Sequence, residues 1–392
     1  MLGAPARFLH PDPTPARTPM RTLHVIALGG TIASSTSPAP TDSADSTGRT
    51  GPTSSTDRTD STGPTAPARG VAPTVTAEEI TAAARLDTLP GGAPQVSAEQ
   101  LAQVGSGSID FGILFSTVLA ARRAAARGVD GIVLTQGTDT LEDSAFALSL
   151  LNDSGIPIVL TGAMRNPTLP GADGPANVRA AALTALVPEA AGLRAALVFA
   201  DEVHDPLFVR KAHTSHVSPF TSGPVVGALG WVAEDRVRLP HLPAPRTLPV
   251  GLAVPRGSGA DAAPDTAHAP NLDFPRVAHI DVGFDDGLEF LATLPEAGYW
   301  GAVLAGVGGG HVAARAVEAV EALAVRMPVV LASRTGAGAT LEDTYGYPGA
   351  EIDLLSRGLL PAGLLDARKA RIALTLALAC GVDPAEVLAA FR

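Results

Sequence analysis

Leu23-His24-Val25-Ile26-Ala27-Leu28-Gly29-Gly30-Thr31-Ile32-Ala33 and Gly131-Ile132-Val133-Leu134-Thr135-Gln136-Gly137-Thr138-Asp139-Thr140 are built on one plan. In each, an apolar run of strand length leads to a glycine and then at once to a threonine. In open α/β sheets the C-terminal ends of strands and the helix N-termini that follow them present backbone N–H groups to a crevice, and ligands collect there. Two hydroxyls delivered to that edge suggest one reaction centre.

Outward from these runs the chain alternates strand and helix patterns. Strand candidates follow at Ile156 to Thr161 and Ala195 to Ala200. Helical spacing is found over Phe111 to Ala126, closed by Gly128, and over Leu141 to Leu151 and Pro175 to Leu186. This is the βαβ rhythm of a mostly parallel sheet with flanking helices. Beyond a Pro-, Ala- and Gly-rich stretch, the strand pattern returns at Val277 to Val282, Ala302 to Ala305 and Pro328 to Ser333, with helices expected at His311 to Val325 and Ala367 to Cys380. The fold class expected is therefore two α/β domains, a larger N-terminal one and a smaller C-terminal one with its own parallel sheet.

The expected division is a disordered segment over 1–21, a larger domain over 22–239, a linker over 240–275 and a smaller domain over 276–392. From Ser34 to Gly70 there is no Val, Leu, Ile, Met or aromatic residue, and Asp45-Ser46-Thr47-Gly48 recurs as Asp60-Ser61-Thr62-Gly63. Such a low-complexity insert buries too little surface to offset the entropy of ordering it. It begins three residues after Thr31, where long loops often act as lids.

Composition excludes several classes. With 392 residues, 46% of them hydrophobic, the chain can bury a large core. A formal net charge of −11 leaves no footprint for nucleic acid, so a small-molecule partner is expected. Cys380 is the only cysteine, which rules out an intramolecular disulfide and a thiol metal cluster. No stretch reaches the roughly 18 apolar residues of a membrane span, and the first 21 residues lack the apolar centre of a secretory signal. The expected address is cytoplasmic. Met20, just before the first strand, leaves an alternative start open.

A threonine hydroxyl needs a nearby base and an oxyanion site before it attacks anything at neutral pH. Gly137-Thr138-Asp139 supplies a hydroxyl, a carboxylate and a glycine that lets substrate approach the backbone. Lys211, in Val209-Arg210-Lys211-Ala212, follows the strand ending at Ala200 and could reach the same crevice as a base. A Thr/Lys/Asp relay is the lysine-based relative of the Ser-His-Asp arrangement. Taken singly, Thr138 also reads as a turn residue, Asp139 as the N-cap of the Leu141 helix, and Lys211 as a surface cation. Gly29-Gly30-Thr31 lacks the spacing of a nucleotide-binding turn. His213 and His216, without a thiol partner, read as a surface loop rather than a metal site.

Together the segments resemble the bacterial-type L-asparaginase (asparaginase/glutaminase) family. Leu28-Gly29-Gly30-Thr31-Ile32-Ala33 is similar to its first signature and Thr135-Gln136-Gly137-Thr138-Asp139-Thr140-Leu141-Glu142 to its second. Gly162-Ala163-Met164-Arg165, Ala172-Asp173-Gly174-Pro175 and Lys369-Ala370-Arg371 follow in the family's order. The resemblance implies hydrolysis of L-asparagine, with L-glutamine as the alternative substrate, with no metal or cofactor and no nucleic-acid or membrane partner. Thr31 would attack the side-chain amide; Thr138, Lys211 and Asp139 would form the second relay. Gly137, the Thr138 N–H and Ala163 would line the substrate and its oxyanion, and Asp139 would hold the substrate ammonium. Ser108 would hold the α-carboxylate, with Ser106 as the alternative because Gly105-Ser106-Gly107-Ser108 repeats. The family's sites lie between subunits, so a homotetramer built from dimers is implied.

Three positions depart from the family pattern. No tyrosine precedes Tyr299, so the residue that helps activate the first threonine in many relatives has no counterpart. Tyr345 stands where a partner subunit often supplies an acid, and Ile109 where a polar residue is common; both bear on selectivity. The rival readings are a glutaminase-asparaginase, an amidotransferase subunit and a non-catalytic amino-acid sensor. The short segment ahead of Leu23 speaks against the second, and the complete set Thr31, Thr138, Asp139 and Lys211 against the third.

Overall fold

A computed structural model describes residues 20–30, 34–36, 71–73, 76–243, 248 and 274–392. Thr31, residues 37–70 of the expected insert, and most of the 1–21 and 240–275 segments lie outside the described residues.

The first quoted run becomes β1 (Thr22–Gly29), buried from Leu23 onward, as a near-continuous apolar strand in the middle of a parallel sheet must be. β2 (Ser34–Thr36) and β3 (Val71–Pro73) pair antiparallel, so the two ends of the low-complexity segment meet. Helix α1 (Ala77–Ala83) opens with a capping box between Thr76 and Glu79. It leads to β4 (Gln95–Val104), α2 (Phe111–Ala126), β5 (Gly131–Thr135), α3 (Leu141–Leu151), β6 (Ile158–Thr161), α4 (Gly174–Ala185) and β7 (Ala195–Phe199). The two residues after β7, Ala200 and Asp201, both have positive φ, the geometry of a tight hairpin into antiparallel β8 (Glu202–His204). A short pair, β9 (Arg210–Lys211) and β10 (Phe220–Thr221), precedes a second hairpin of β11 (Gly230–Ala233) and β12 (Arg236–Arg238).

The large sheet runs in the order β12-β11-β8-β7-β6-β5-β1-β4. It is parallel from β7 to β4 and antiparallel beyond β7. In the smaller domain β13 (Arg276–Asp281), β14 (Tyr299–Gly306), α5 (Val317–Ala324), β15 (Val329–Ser333), α6 (Glu351–Ser356) and β16 (Leu360–Pro361) make a four-stranded parallel sheet in chain order. Helices α7 (Ala367–Cys380) and α8 (Pro384–Ala389) complete it.

One apolar core spans both domains. It joins Leu134, Phe146 and Leu148 of the larger to Leu374, Leu376 and Phe391 of the smaller, and the Phe146 and Phe391 rings lie 5.9 Å apart. Helix α7 therefore packs against the larger domain as well as its own sheet.

One sequence expectation needs correction, and one strand was not foreseen. The helix expected from His311 begins only at Val317, because residues 307 and 311 exchange both backbone hydrogen bonds in a β-bridge that holds His311 out of helical geometry. Strand β4 was not expected: Gln95–Val104 has few β-branched residues and is held by its parallel pairing with β1.

Candidate active site

Four adjacent parallel strands, β4, β1, β5 and β6, end at one edge of the large sheet. There the backbone of the first signature touches that of the second. Gly29 and Gly30 have φ of +103° and +88°, and a Cβ built on Gly30 would sit 2.1 Å from the Gly137 nitrogen. Only glycine fits this crossing. The residue before Thr31 is thus in backbone contact with the residue before Thr138.

After β5 the chain makes one tight turn, Thr138–Thr140, before α3. Thr138 is 5% exposed. Its Oγ1 accepts from Lys211 Nζ at 2.9 Å and donates to Met164 Sδ at 3.3 Å. The same Nζ lies 2.6 Å from Asp139 Oδ1, and Ser106 Oγ donates to Asp139 Oδ2 at 3.0 Å. The Lys211 side chain is 13% exposed, whereas that of Asp139 is 72% exposed, so the carboxylate forms the open side of the cluster. The Lys211 ammonium, and after it the Ser106 hydroxyl, hold the Asp139 carboxyl below its ordinary pKa.

The single-residue alternatives do not describe this geometry. The N-cap of α3 is Thr140, without a side-chain cap bond, and the Asp139 carboxylate turns to Lys211 instead. Lys211 is not a free surface cation. Of the two candidate serines, buried Ser106 meets Asp139; Ser108 is exposed, its N–H closing a turn on the Gly105 carbonyl. Ala163 follows β6 and is buried. A Cβ at neighbouring Gly162 would lie 2.4 Å from the Gln136 carbonyl and 3.3 Å from Thr138 Cγ2. Asp173 accepts from the backbone N–H groups of Met164 and Arg165, at 3.0 and 2.9 Å, and thereby holds the loop that touches Thr138. His213 and His216 are exposed, and no cluster of three metal-ligating side chains occurs among the described residues.

Glu142 had been quoted only as part of a motif. It is 1% exposed, and its Oε1 accepts from the Lys211 backbone N–H and from Arg368 of α7, each at 3.2 Å. The sequence signal was there: Glu142 shares a helix face with Ala145 and Phe146, where a charge has to be paired. A second unexpected cluster lies in the smaller domain. His311 bridges Tyr347 OH at 3.0 Å and Glu351 at 2.8 Å, and Glu351 Oε1 accepts the N–H groups of Thr344 and Tyr345. A carboxylate therefore sits beneath Tyr345, six residues along from where sequence placed its loss.

Comparison with known proteins agrees with this architecture. The model of the asparaginase N-terminal domain matches residues 22–244, and that of the glutaminase/asparaginase C-terminal domain matches residues 276–391. A probable L-asparaginase of Deinococcus radiodurans is 34% identical over 276 residues, 68% of this chain and 76% of that protein. L-asparaginase 2 of Escherichia coli is 31% identical over 299 residues, 76% of this chain and 80% of that protein. A solved structure, the probable cytoplasmic L-asparaginase of Campylobacter jejuni, shares the fold with a TM-score of 0.69 at 24% identity, covering 95% of this chain and 99% of that one. With both of its domains matched by the family's models, the chain belongs to the asparaginase family.

Proposed function

We propose that this protein hydrolyses L-asparagine to L-aspartate and ammonia, with Thr138, Lys211 and Asp139 as its proton-transfer relay. The observation that carries the proposal is Lys211 Nζ at 2.9 Å from the Thr138 hydroxyl and 2.6 Å from Asp139, at the strand-end edge of a family member. As a neutral amine Lys211 would accept a proton from a threonine or from water and later return it to the departing ammonia. Asp139 stays ionised and exposed, which suits it to pair with a substrate ammonium while it orients Lys211. Ser106 fixes the other carboxylate oxygen.

Thr31 is the proposed covalent nucleophile. Its hydroxyl oxygen bonds to the amide carbon, ammonia leaves with a proton from the relay, and water then cleaves the ester. Support for placing it beside Thr138 comes from the contact of Gly30 with Gly137. Backbone N–H groups around Gly137, Thr138 and Ala163 are the proposed oxyanion donors. A homotetramer and a cytoplasmic address belong to the same proposal, and a mass measurement in solution tests the first.

The decisive experiment is ammonia release from L-asparagine and from L-glutamine by the wild type and Thr138→Ala. Turnover of asparagine, reduced by about 10²–10⁴-fold in the folded variant, is expected. Comparable rates on both amides would remove asparagine selectivity. Binding of either without turnover would favour a sensor.

A further inference from the structure

Of the 28 basic residues in the chain only two are lysines, Lys211 and Lys369; every other one is arginine. A sequence that uses arginine almost everywhere keeps lysine at two positions, and they meet through one short segment of chain. Lys369 stands in the first turn of α7, where its own N–H is capped by Asp366. Its Nζ donates to the carbonyls of Leu207 at 2.8 Å and Val209 at 2.7 Å, and lies 3.7 Å from Asp366 Oδ2.

That is a costly place for an ammonium. The side chain is 2% exposed, so its charge is stripped of water. It also sits at the positive end of the helix, where a cation is disfavoured. Burial pushes its pKa down accordingly. An apolar residue would serve the helix better, so the reason for the lysine lies at the other end of its hydrogen bonds.

Residues 205–209 form a compact turn: the N–H groups of Phe208 and Val209 both bond the Asp205 carbonyl, and that of Leu207 bonds Asp205 Oδ1. Two residues later comes Lys211, on a strand only two residues long. Little regular structure holds Lys211, and the buried carbonyls of 207 and 209 would be unpaired without the ammonium. The neighbouring Arg368 grips the far end of the segment by way of Glu142 and the Lys211 N–H.

We propose that Lys369 is a positioning residue for Lys211: the smaller domain, through one buried ammonium on the carbonyls of 207 and 209, sets the reach of the Lys211 side chain toward Thr138. The inference rests on the reading of Lys211 as the relay's base. A strut that served stability alone would leave Lys211 chemistry unchanged in any variant that folds.

The chain's lysine content makes the test direct, because amine-specific reductive methylation of the folded protein, read by mass spectrometry, meets only two lysines, of which Lys211 is the more exposed, 13% against 2%. Lys369→Met keeps the length and removes the donors. The expected result in the folded variant is a kcat on L-asparagine lowered about 10- to 100-fold with KM within about threefold, and Lys211 methylated several-fold faster. If Lys369→Met does not fold, Lys369→Gln, which keeps N–H donors on a shorter stem, is judged by the same criteria with a smaller loss expected. A folded variant with kcat within about twofold of wild type and unchanged Lys211 methylation overturns the proposal. Wild-type inactivity on asparagine, or full activity of Lys211→Met, would instead sink the reading of the relay. The methylation arm would still report whether Lys369 places Lys211.

Discussion

Asp143, in the first turn of α3, has one carboxylate oxygen buried without a hydrogen-bond partner. Its burial, reinforced by the charge of Glu142, raises its pKa to about 7. In an unfolded chain the same side chain ionises near about 3.9. Between those values the folded protein holds a proton that the unfolded chain has released. Its contribution to stability is therefore complete below about pH 4 and is lost as pH rises through about 7. Three pH units at about 1.36 kcal/mol each amount to about 4 kcal/mol. Asp143→Asn keeps the shape and cannot ionise, so it escapes that loss. His204 titrates with the opposite sign, since burial lowers its pKa to about 4 and stability rises as pH climbs from there toward about 6.5. That term is common to both proteins and cancels in their difference. Thermal unfolding of wild type and Asp143→Asn should show nearly equal midpoints at about pH 4 and a gap favouring the variant by roughly 5 °C at about pH 8, taking about 1.2 °C per kcal/mol for a chain of this size. A gap that stays constant with pH, or that favours wild type at the alkaline end, refutes the reasoning.

Gly30→Ala forces a Cβ against the Gly137 nitrogen at positive φ, and should cost more than about 3 kcal/mol or prevent folding; calorimetry reads the loss. Ser106→Ala frees one oxygen of Asp139, and should weaken asparagine turnover by about tenfold or more, whereas Ser108→Ala tests the sequence assignment of the α-carboxylate contact; the serine whose loss raises KM is the one that serves substrate. Asp139→Asn removes the charge that pairs with Lys211, and steady-state kinetics should show both a raised KM and a lowered kcat.

Much of this architecture could be read from single elements. Helices α2, α3 and α7 carry helical spacing and strand β5 an unbroken apolar run, and their expected bounds coincide with the observed ones. Elements defined by partners were harder to see. Strand β4 is set by β1, and the start of α5 by the bridge between residues 307 and 311. The same division holds at the site. Thr138 and Asp139 were legible because they abut a recognisable strand, but the meeting of Lys211 with them crosses more than 70 residues and rests on the β7–β8 hairpin and the turn over 205–209, neither of which has a sequence signature. Between Ser106 and Ser108 the glycines made the register ambiguous in sequence, while burial separates the two at once.

The division of labour between the domains follows from where charge can be held. The larger sheet brings the Thr138 hydroxyl to its edge on an apolar strand that needs nothing beyond packing. The Lys211 ammonium cannot ride such a strand, since its charge would have to be buried along the way. It arrives on the two-residue strand β9 after a compact turn instead, and such a segment with buried backbone has to find partners for its carbonyls and N–H groups. Here those partners are Glu142 at the head of α3, itself held by Arg368 of α7, and, from the other domain, Lys369 at the head of α7. The apolar core shared by Phe146 and Phe391 fixes α7 against α3, so the distance between these charged anchors is set by packing rather than by the segment itself.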